Sequence, residues 1–285
     1  MYEKRIYGIE TEYAIYYVSP ISSPTFKRTL FSEYLIKALF ETLCPNETIY
    51  NLFLENGGRL YQDTGCHPEY ATPECSNIRD ATLYDQAGEM ILSNIARRVQ
   101  KSFEDEGFLG KFHIFKNNTD SVGNTYGCHE NYLIRGSVNF SYLAEKIIPF
   151  LVTRTIFTGA GRIHIAGNNV EFRISQRADF IEKVYSGSTT GDRPIINTRE
   201  EPLSDPLLYR RLHIILSDSN MSAFATYLKL GTMAIVLDMV ESGYFKKDIE
   251  IRNPLKALRD IDGDISCRAK IEIKDGKVIV SGEVL

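Results

Sequence analysis

Between residues 5 and 17 polar and apolar side chains alternate. Tyr7, Ile9, Thr11, Tyr13, Ile15 and Tyr17 make one almost wholly apolar set; Ile6, Gly8, Glu10, Glu12, Ala14 and Tyr16 make the other. Successive strand side chains point to opposite faces. The pattern therefore predicts a strand over 5 to 17, with one face suited to packing on helices and two carboxylates among small neighbours on the other. A second alternating segment, 57 to 64, places Arg59, Tyr61 and Asp63 on one face and turns Leu60 away, with Glu69 just beyond.

Apolar spacing near 3.6 predicts helices at about 30 to 43 (Phe31, Leu35, Leu39, Leu43, stopped by Pro45), 79 to 105 and 221 to 242. Shorter helices are predicted at 141 to 158, where Pro149 should kink or split the run, and at 254 to 262, where Pro254 suits a first turn. Further strands are predicted at 111 to 117, 128 to 135 and 209 to 217. Hairpins are predicted over 162 to 175, turning at Gly167 to Asn169, and over 269 to 281, turning at Asp275 and Gly276. Hairpins beside long amphipathic helices imply an α+β fold: a mostly antiparallel, curved sheet with helices packed on one face, leaving a concave face for the carboxylates. No repeat or Gly/Ser/Pro-rich linker divides the chain, so residues 1–285 read as one domain.

Composition narrows the function classes. The net charge of −4 argues against a general nucleic-acid binder. No apolar stretch approaches the roughly 20 residues of a membrane span, and the N-terminus enters a charged strand with no signal pattern. No membrane association and a cytoplasmic location are expected. Cys44, Cys66, Cys75, Cys128 and Cys267 are odd in number and contain no CxxC pair, which points to free thiols. Cys66–His67 and Cys128–His129 could in principle assemble a zinc site, but the spacing matches no common finger or ribbon.

The chemistry centres on the carboxylates. Two at i and i+2 repel unless a positive charge sits between them. Hard oxygen ligands favour Mg²⁺ with substrate phosphates; the alternative is a solvated strand face with cross-strand Lys or Arg partners. Arg173 or Arg177 could face a phosphate, since guanidinium matches its geometry; equally, Glu171 and Arg173 could answer charges across the sheet. Asn117 to Asp120 read as a capped loop, yet the strand after it sends a polar pair to each face. His213 reads as a hydrogen-bonded core histidine before a ligand, and Ser219 or Asn220 as a helix cap. GxxxxGKS, GxGxxG after a strand and GxSxG are absent, so phosphate binding must use side chains and metal, and covalent Ser or Cys catalysis has little support.

Seven blocks, in order from residue 5 to about 268, carry a resemblance: GIETEY, NGGRLYQDTGCHPEYATPEC, KNNTDSVGNTYGCHENYL, GAGRI, SQRADF, RPIINTREEP and YRRLHIILSDSNM. Together they resemble the Pup ligase and Pup deamidase family, relatives of glutamine synthetase and the carboxylate-amine ligases. The DTGCHPEYATPEC wording and the short interval between Glu10 and Asp63 look closer to the ligase branch than to the deamidase and depupylase branch. The resemblance implies a glutamine-synthetase-like catalytic domain. The implied activity is ATP-dependent isopeptide formation between the C-terminal glutamate side chain of a small Pup-like protein modifier and lysines of target proteins. The route runs through a γ-glutamyl phosphate and marks targets for proteasomal degradation. It further implies Mg²⁺ held by Glu10, Tyr61 and Glu69, ATP contacted by Arg59 and Thr72, and Asp63 as proton acceptor. Family members are longer, with a small C-terminal domain and a tryptophan near the nucleotide. This sequence has neither, which reads as a fragment or as a shortened relative.

Overall fold

The computed structural model describes residues 5–20, 32–45, 49–188, 191–199, 204–245 and 249–283. The strands in chain order are β1 (Tyr7–Glu12), β2 (Ala14–Val18), β3 (Asn51–Phe53), β4 (Arg59–Asp63), β5 (His67–Ala71), β6 (Lys111–Phe115), β7 (Cys128–Arg135), β8 (Arg162–Ala166), β9 (Asn169–Arg173), β10 (Lys183–Ser186), β11 (Pro194–Asn197), β12 (Tyr209–Ile214), β13 (Lys270–Glu272) and β14 (Val278–Val280). The helices are α1 (Ser32–Leu43), α2 (Ile78–Asp105), α3 (Phe140–Thr153), the single turn α4 (Thr155–Thr158), α5 (Ala223–Glu241) and α6 (Pro254–Asp262). Phe31, expected in the first helix, lies outside the described residues.

Eight strands form one sheet in the order β10, β11, β12, β7, β1, β5, β4, β3, antiparallel throughout except for β10 beside β11. Direct cross-strand pairs share a face, so the register sorts the side chains. Ile9 opposite Glu130, Thr11 opposite Tyr70 and Cys128, and Leu212 opposite Tyr132 face one way. Glu10 opposite His129, Glu12 opposite Glu69, Tyr61 opposite Glu69, and His213 opposite Asn131 face the other. The first face is covered by helices in two clusters. One joins Ile9, Tyr132, Leu212 and Ile214 to α3, α5 and α6 through residues such as Ile147, Leu230 and Leu258. The other joins Leu60 and Tyr70 to α1 and α2 through Leu39, Leu92 and Val99.

Local chemistry explains the helix ends. Asn77, Asn139 and Asn253 each turn a side-chain oxygen onto an amide of the first turn, opening α2, α3 and α6, and Pro254 occupies the first turn of α6. Gly88 lets α2 approach the sheet, since a Cβ there would lie 2.3 Å from the Tyr70 ring.

Several expectations are corrected. The 5–17 segment is two strands: Tyr13 donates its amide to Pro68 O (2.9 Å), and β2 then leaves the main sheet to pair with β6. The helical run at 141–158 passes through Pro149 and breaks at Arg154, whose guanidinium is drawn onto Glu130. The hairpin expected over 162–175 does form, as β8–β9, but it stands apart from the main sheet, with Ile163, Ile165, Val170 and Phe172 all exposed. Ser219 and Asn220 do not cap α5, whose cap is Ser222; they bind Asn118 and Thr158 instead. By length and composition α5 does reach what a membrane crossing needs. In the fold it packs on the sheet through Leu230, Met233 and Leu237, with Lys229 fully buried beside them.

Candidate active site

The face on which no helix packs among the described residues gathers the polar residues of five adjacent strands. β4 contributes Tyr61 and Asp63, β5 contributes His67 and Glu69, β1 contributes Glu10 and Glu12, β7 contributes His129 and Asn131, and β12 contributes Arg211 and His213. Two groups there could each hold a cation, their ligand atoms lying within 4.8 Å of one another: Glu12, Asp63 and Glu69, and Glu10, His129 and His213. Gly127 is part of the cradle. A Cβ on it would fall 2.5 Å from both Glu12 Oε1 and His129 Nε2, so a side chain there would fill the space between the groups.

The two groups differ electrostatically. Burial opposes the charge on Glu10, but its hydrogen bond to His129 Nδ1 (3.3 Å) and its interactions with His213, His129 and Arg211 lower its pKa to about 2. Asn131 Nδ2 donates to it as well (3.2 Å). His213 is buried and its pKa falls to about 3, so the imidazole is neutral at pH 7; its Nδ1 lies 2.7 Å from Asn131 Oδ1. Glu12 is also lowered against the cost of burial, through His67 Nδ1 at 3.0 Å. Glu69 is the opposite case. Burial and the charges of Glu10, Glu12 and Asp63 push it well above the usual carboxylate range, and they outweigh its hydrogen bond with Tyr61. Asp63 is raised by burial and by Glu12, against an amide bond from Thr64. Tyr61 stays a neutral phenol, raised by burial and by Glu69.

Glu69, crowded by three other carboxylates, has no ion pair among the described residues, which is the state a bound cation relieves. The all-carboxylate set of Glu12, Asp63 and Glu69 suits a hard cation such as Mg²⁺. The Glu10, His129 and His213 set, with two imidazoles, suits a borderline metal equally well.

Beside Glu12 and Asp63 opens a cavity of about 450 Å³, closed on other sides by the 120–127 loop and by Arg177 and Arg193. Tyr126 of that loop lies against the His67 ring, with centroids 4.4 Å apart.

Of the residues singled out from sequence, Glu10, Tyr61, Asp63 and Glu69 lie on this face, with Tyr61 directly against Glu69 and Glu10 turned toward β7. Arg59 lies over the Tyr61 ring (4.3 Å) and donates to Asn51 (2.7 Å). Thr72 stands at the end of β5, where its hydroxyl accepts from the Ile9 amide (3.1 Å). Arg173 is away from the cavity, paired with Glu171 (3.0 Å), whereas Arg177 lines it. No cysteine joins either cation group among the described residues; Cys128 faces the helices near Lys229.

The site also contains Glu12, His67, His129 and His213, to which the family resemblance assigns no role. Glu12 shares Glu10's face in the alternation. His129 belongs to the polar pair that the start of its strand sends to one face. His213 had a sequence signal too, since its neighbours Leu212 and Ile214 face the helices and force it onto the polar side.

Comparison with known proteins agrees with this layout. A model of the Pup-ligase protein family matches residues 5–285. The chain is 46% identical over 282 residues to the "Pup--protein ligase" of Arthrobacter sp. (strain FB24), and 45% identical over 282 residues to that of Paenarthrobacter aurescens (strain TC1). Both alignments take in 99% of this chain but 61% of the relative, so the chain spans about three fifths of their length. It superposes with a TM-score of 0.89 and 37% identity on the crystal structure of the complex between prokaryotic ubiquitin-like protein Pup and its ligase PafA, covering 99% of this chain and 56% of that one. A structure of the Pup ligase PafA in complex with ADP matches with a TM-score of 0.79 at 37% identity, over 94% of this chain and 58% of the other. A carboxylate-lined sheet face of this layout, matched by a family model along nearly the whole sequence and by relatives of such identity, leaves one conclusion: the chain belongs to the Pup-ligase protein family.

Proposed function

We propose that this chain carries the catalytic face of an ATP-dependent ligase. The ligase joins the C-terminal glutamate side chain of a Pup-like protein modifier to lysines of target proteins and so marks them for proteasomal degradation. The observation that carries the reading is Asp63, a carboxylate with raised proton affinity, at the wall of a cavity and within a cation-ready carboxylate group. A nucleotide fits the reading because a relative of the same fold is described in complex with ADP. Five free cysteines support the reducing cytoplasm as its location.

In the first step a carboxylate oxygen of the modifier attacks the γ-phosphorus of ATP, ADP leaves and a γ-glutamyl phosphate forms. In the second, the lysine amine attacks that carbonyl, phosphate leaves and an isopeptide bond remains. A lysine amine with a pKa of about 10.4 is protonated at pH 7, and freeing it costs about 4 to 5 kcal/mol at 1.36 per unit. Asp63 accepts that proton, helped by the burial and the Glu12 charge that raise its affinity for it. Arg59 and Thr72 would orient the nucleotide; Glu69, with Tyr61 and Glu10, would hold Mg²⁺, and Glu12 joins them here. Bound there, the ion supplies charge neutralisation for phosphoryl transfer.

The test is to incubate the chain with ATP, MgCl₂ and a modifier ending in glutamate, trapping acyl phosphate with hydroxylamine, and then to add a lysine-bearing acceptor and follow conjugate on a gel. Asp63→Asn should keep hydroxamate formation and lose conjugation by about 10² to 10⁴-fold. Release of target from preformed conjugate, without ligation, would move the chain to the hydrolase branch.

A further inference from the structure

The SDSN run after β12, Ser217 to Asn220, is polar at every position and buried at every position, and the ligase chemistry leaves it without a role. Polar side chains are costly to bury unless each finds a partner, so the partners show what the run holds together. Ser217 Oγ donates to Glu130 and accepts from Arg154 Nη2 (3.0 Å). Asp218 accepts from the amides of Ala160 (2.8 Å), Gln176 (2.9 Å) and Arg177 (3.2 Å). Asn220 Nδ2 donates to Thr158 O (2.9 Å). Ser219 binds Asn118, at the start of the loop that walls the Asp63 cavity.

Asn118 is only 2% exposed, and its carboxamide pairs with Ser219 as a neighbouring strand would. Its Oδ1 accepts from the Ser219 amide (2.6 Å) and from Ser219 Oγ (3.2 Å), and its Nδ2 donates to Ser219 O (3.1 Å). A carboxamide suits this place because it carries a donor and an acceptor side by side. The main chain of Asn118 fixes the far end of the loop, since its carbonyl accepts from the Tyr126 amide (2.9 Å). Tyr126 in turn lies on the His67 ring, and Gly127 O accepts from the Glu12 amide (3.0 Å). At the tip, Asp120 accepts from the amides of Val122 (3.0 Å) and Asn124 (2.8 Å). The loop is thus tied to itself by hydrogen bonds, keyed to the interior at Asn118 and set against the carboxylates at Tyr126 and Gly127.

A γ-glutamyl phosphate beside Asp63 needs such a wall. At pH 7 roughly one lysine amine in a few thousand is free to attack it, whereas water attacks the same acyl phosphate, returning the carboxylate and releasing phosphate. Excluding water is what directs the intermediate into an isopeptide bond. We infer that Asn118 is a positioning residue: through Ser219 it holds the 120–127 loop against the Asp63 cavity, and the loop keeps water from the acyl phosphate until an amine arrives. The inference rests on the proposed function and names the element of the chain that protects its intermediate.

The experiment follows ADP and conjugate together in the parent chain, Asn118→Ala and Ser219→Ala, with ATP, MgCl₂, a modifier ending in glutamate and a lysine-bearing acceptor. Asn118→Ala should still release ADP when modifier is present while conjugate falls by about 10²-fold, the effect of a small misplacement at a reacting centre. ADP per conjugate then rises by the same factor. Ser219→Ala removes only the 3.2 Å contact, keeps both main-chain bonds to Asn118 and should stay near the parent ratio. If ADP and conjugate fall together in Asn118→Ala with their ratio unchanged, its role is structural alone and the inference is overturned; ADP release that does not require modifier overturns it as well. Should Asn118→Ala fail to fold, Asp120→Ala decides, since it frees the loop tip at a half-buried position: the same rise is expected, and the parent ratio overturns the inference. A parent chain that yields no hydroxamate from ATP and modifier removes the ligase reading and this inference with it.

Discussion

Glu130 and Glu69 are both almost fully buried, on the strands that flank β1 on either side, yet they answer burial in opposite ways. Glu130 faces the helices, where Arg154 donates to both its oxygens (3.0 and 2.5 Å) and Tyr132 and Ser217 also donate to it. Arg154 and Lys229 hold its pKa below the usual carboxylate value against the cost of burial. Glu69 faces the open side among Glu10, Glu12 and Asp63, and its pKa is pushed well up. One carboxylate carries its counter-charge within the fold and is structural. The other is left short of positive charge, and such a site makes sense when a cation arrives with the substrate.

The sharpest way to break this contrast is to remove each acid in turn. Glu130→Ala strands a buried arginine and should lose about 3 to 5 kcal/mol in urea unfolding. Glu69→Gln in chelator should cost little or stabilise, because it removes like-charge crowding. Equal destabilisation by the two would sink the distinction. Next in size is the cation itself. At a hundredfold excess over its Kd, MgCl₂ should stabilise the parent chain by about 2.7 kcal/mol, and Glu69→Gln should lose most of that gain in a thermal melt.

Smaller still is the pH dependence in chelator. A carboxyl whose folded pKa lies above the unfolded value of about 4.3 contributes stability below that pH. The contribution is lost as pH rises toward the folded pKa, at no more than about 1.4 kcal/mol per unit. The parent chain should therefore weaken from pH 5 to 8 relative to Glu69→Gln; parallel urea midpoints would refute the crowding. Glu10, held at about pKa 2, contributes in the opposite sense. Its stabilisation is present above about pH 4.3 and fades as pH falls toward 2. Glu10→Gln should thus flatten the acid limb alone.

Much of the fold was legible in the chain. The helices at 79–105 and 254–262 match α2 and α6 within a residue, because their apolar spacing and Asn caps are local signals. The strands β3, β5, β10 and β11 were not read: they are three to five residues long, and β5 carries a proline that blurs alternation. The split at Tyr13 was invisible for a different reason. Alternation continues unbroken through it, and only the exchange of partner, from β5 and β7 to β6, marks the break.

By itself the sequence determined which side of each strand is polar, since a period of two assigns Glu10 with Glu12 and Tyr61 with Asp63 whatever they pair with. Which carboxylates meet was decided by tertiary register alone. Glu12 lies opposite Glu69, and Glu10 opposite His129, only because β1 sits between β5 and β7. Register joins residues more than fifty positions apart in the chain, and that separation is why Glu69 is starved of positive charge while Glu10 is not.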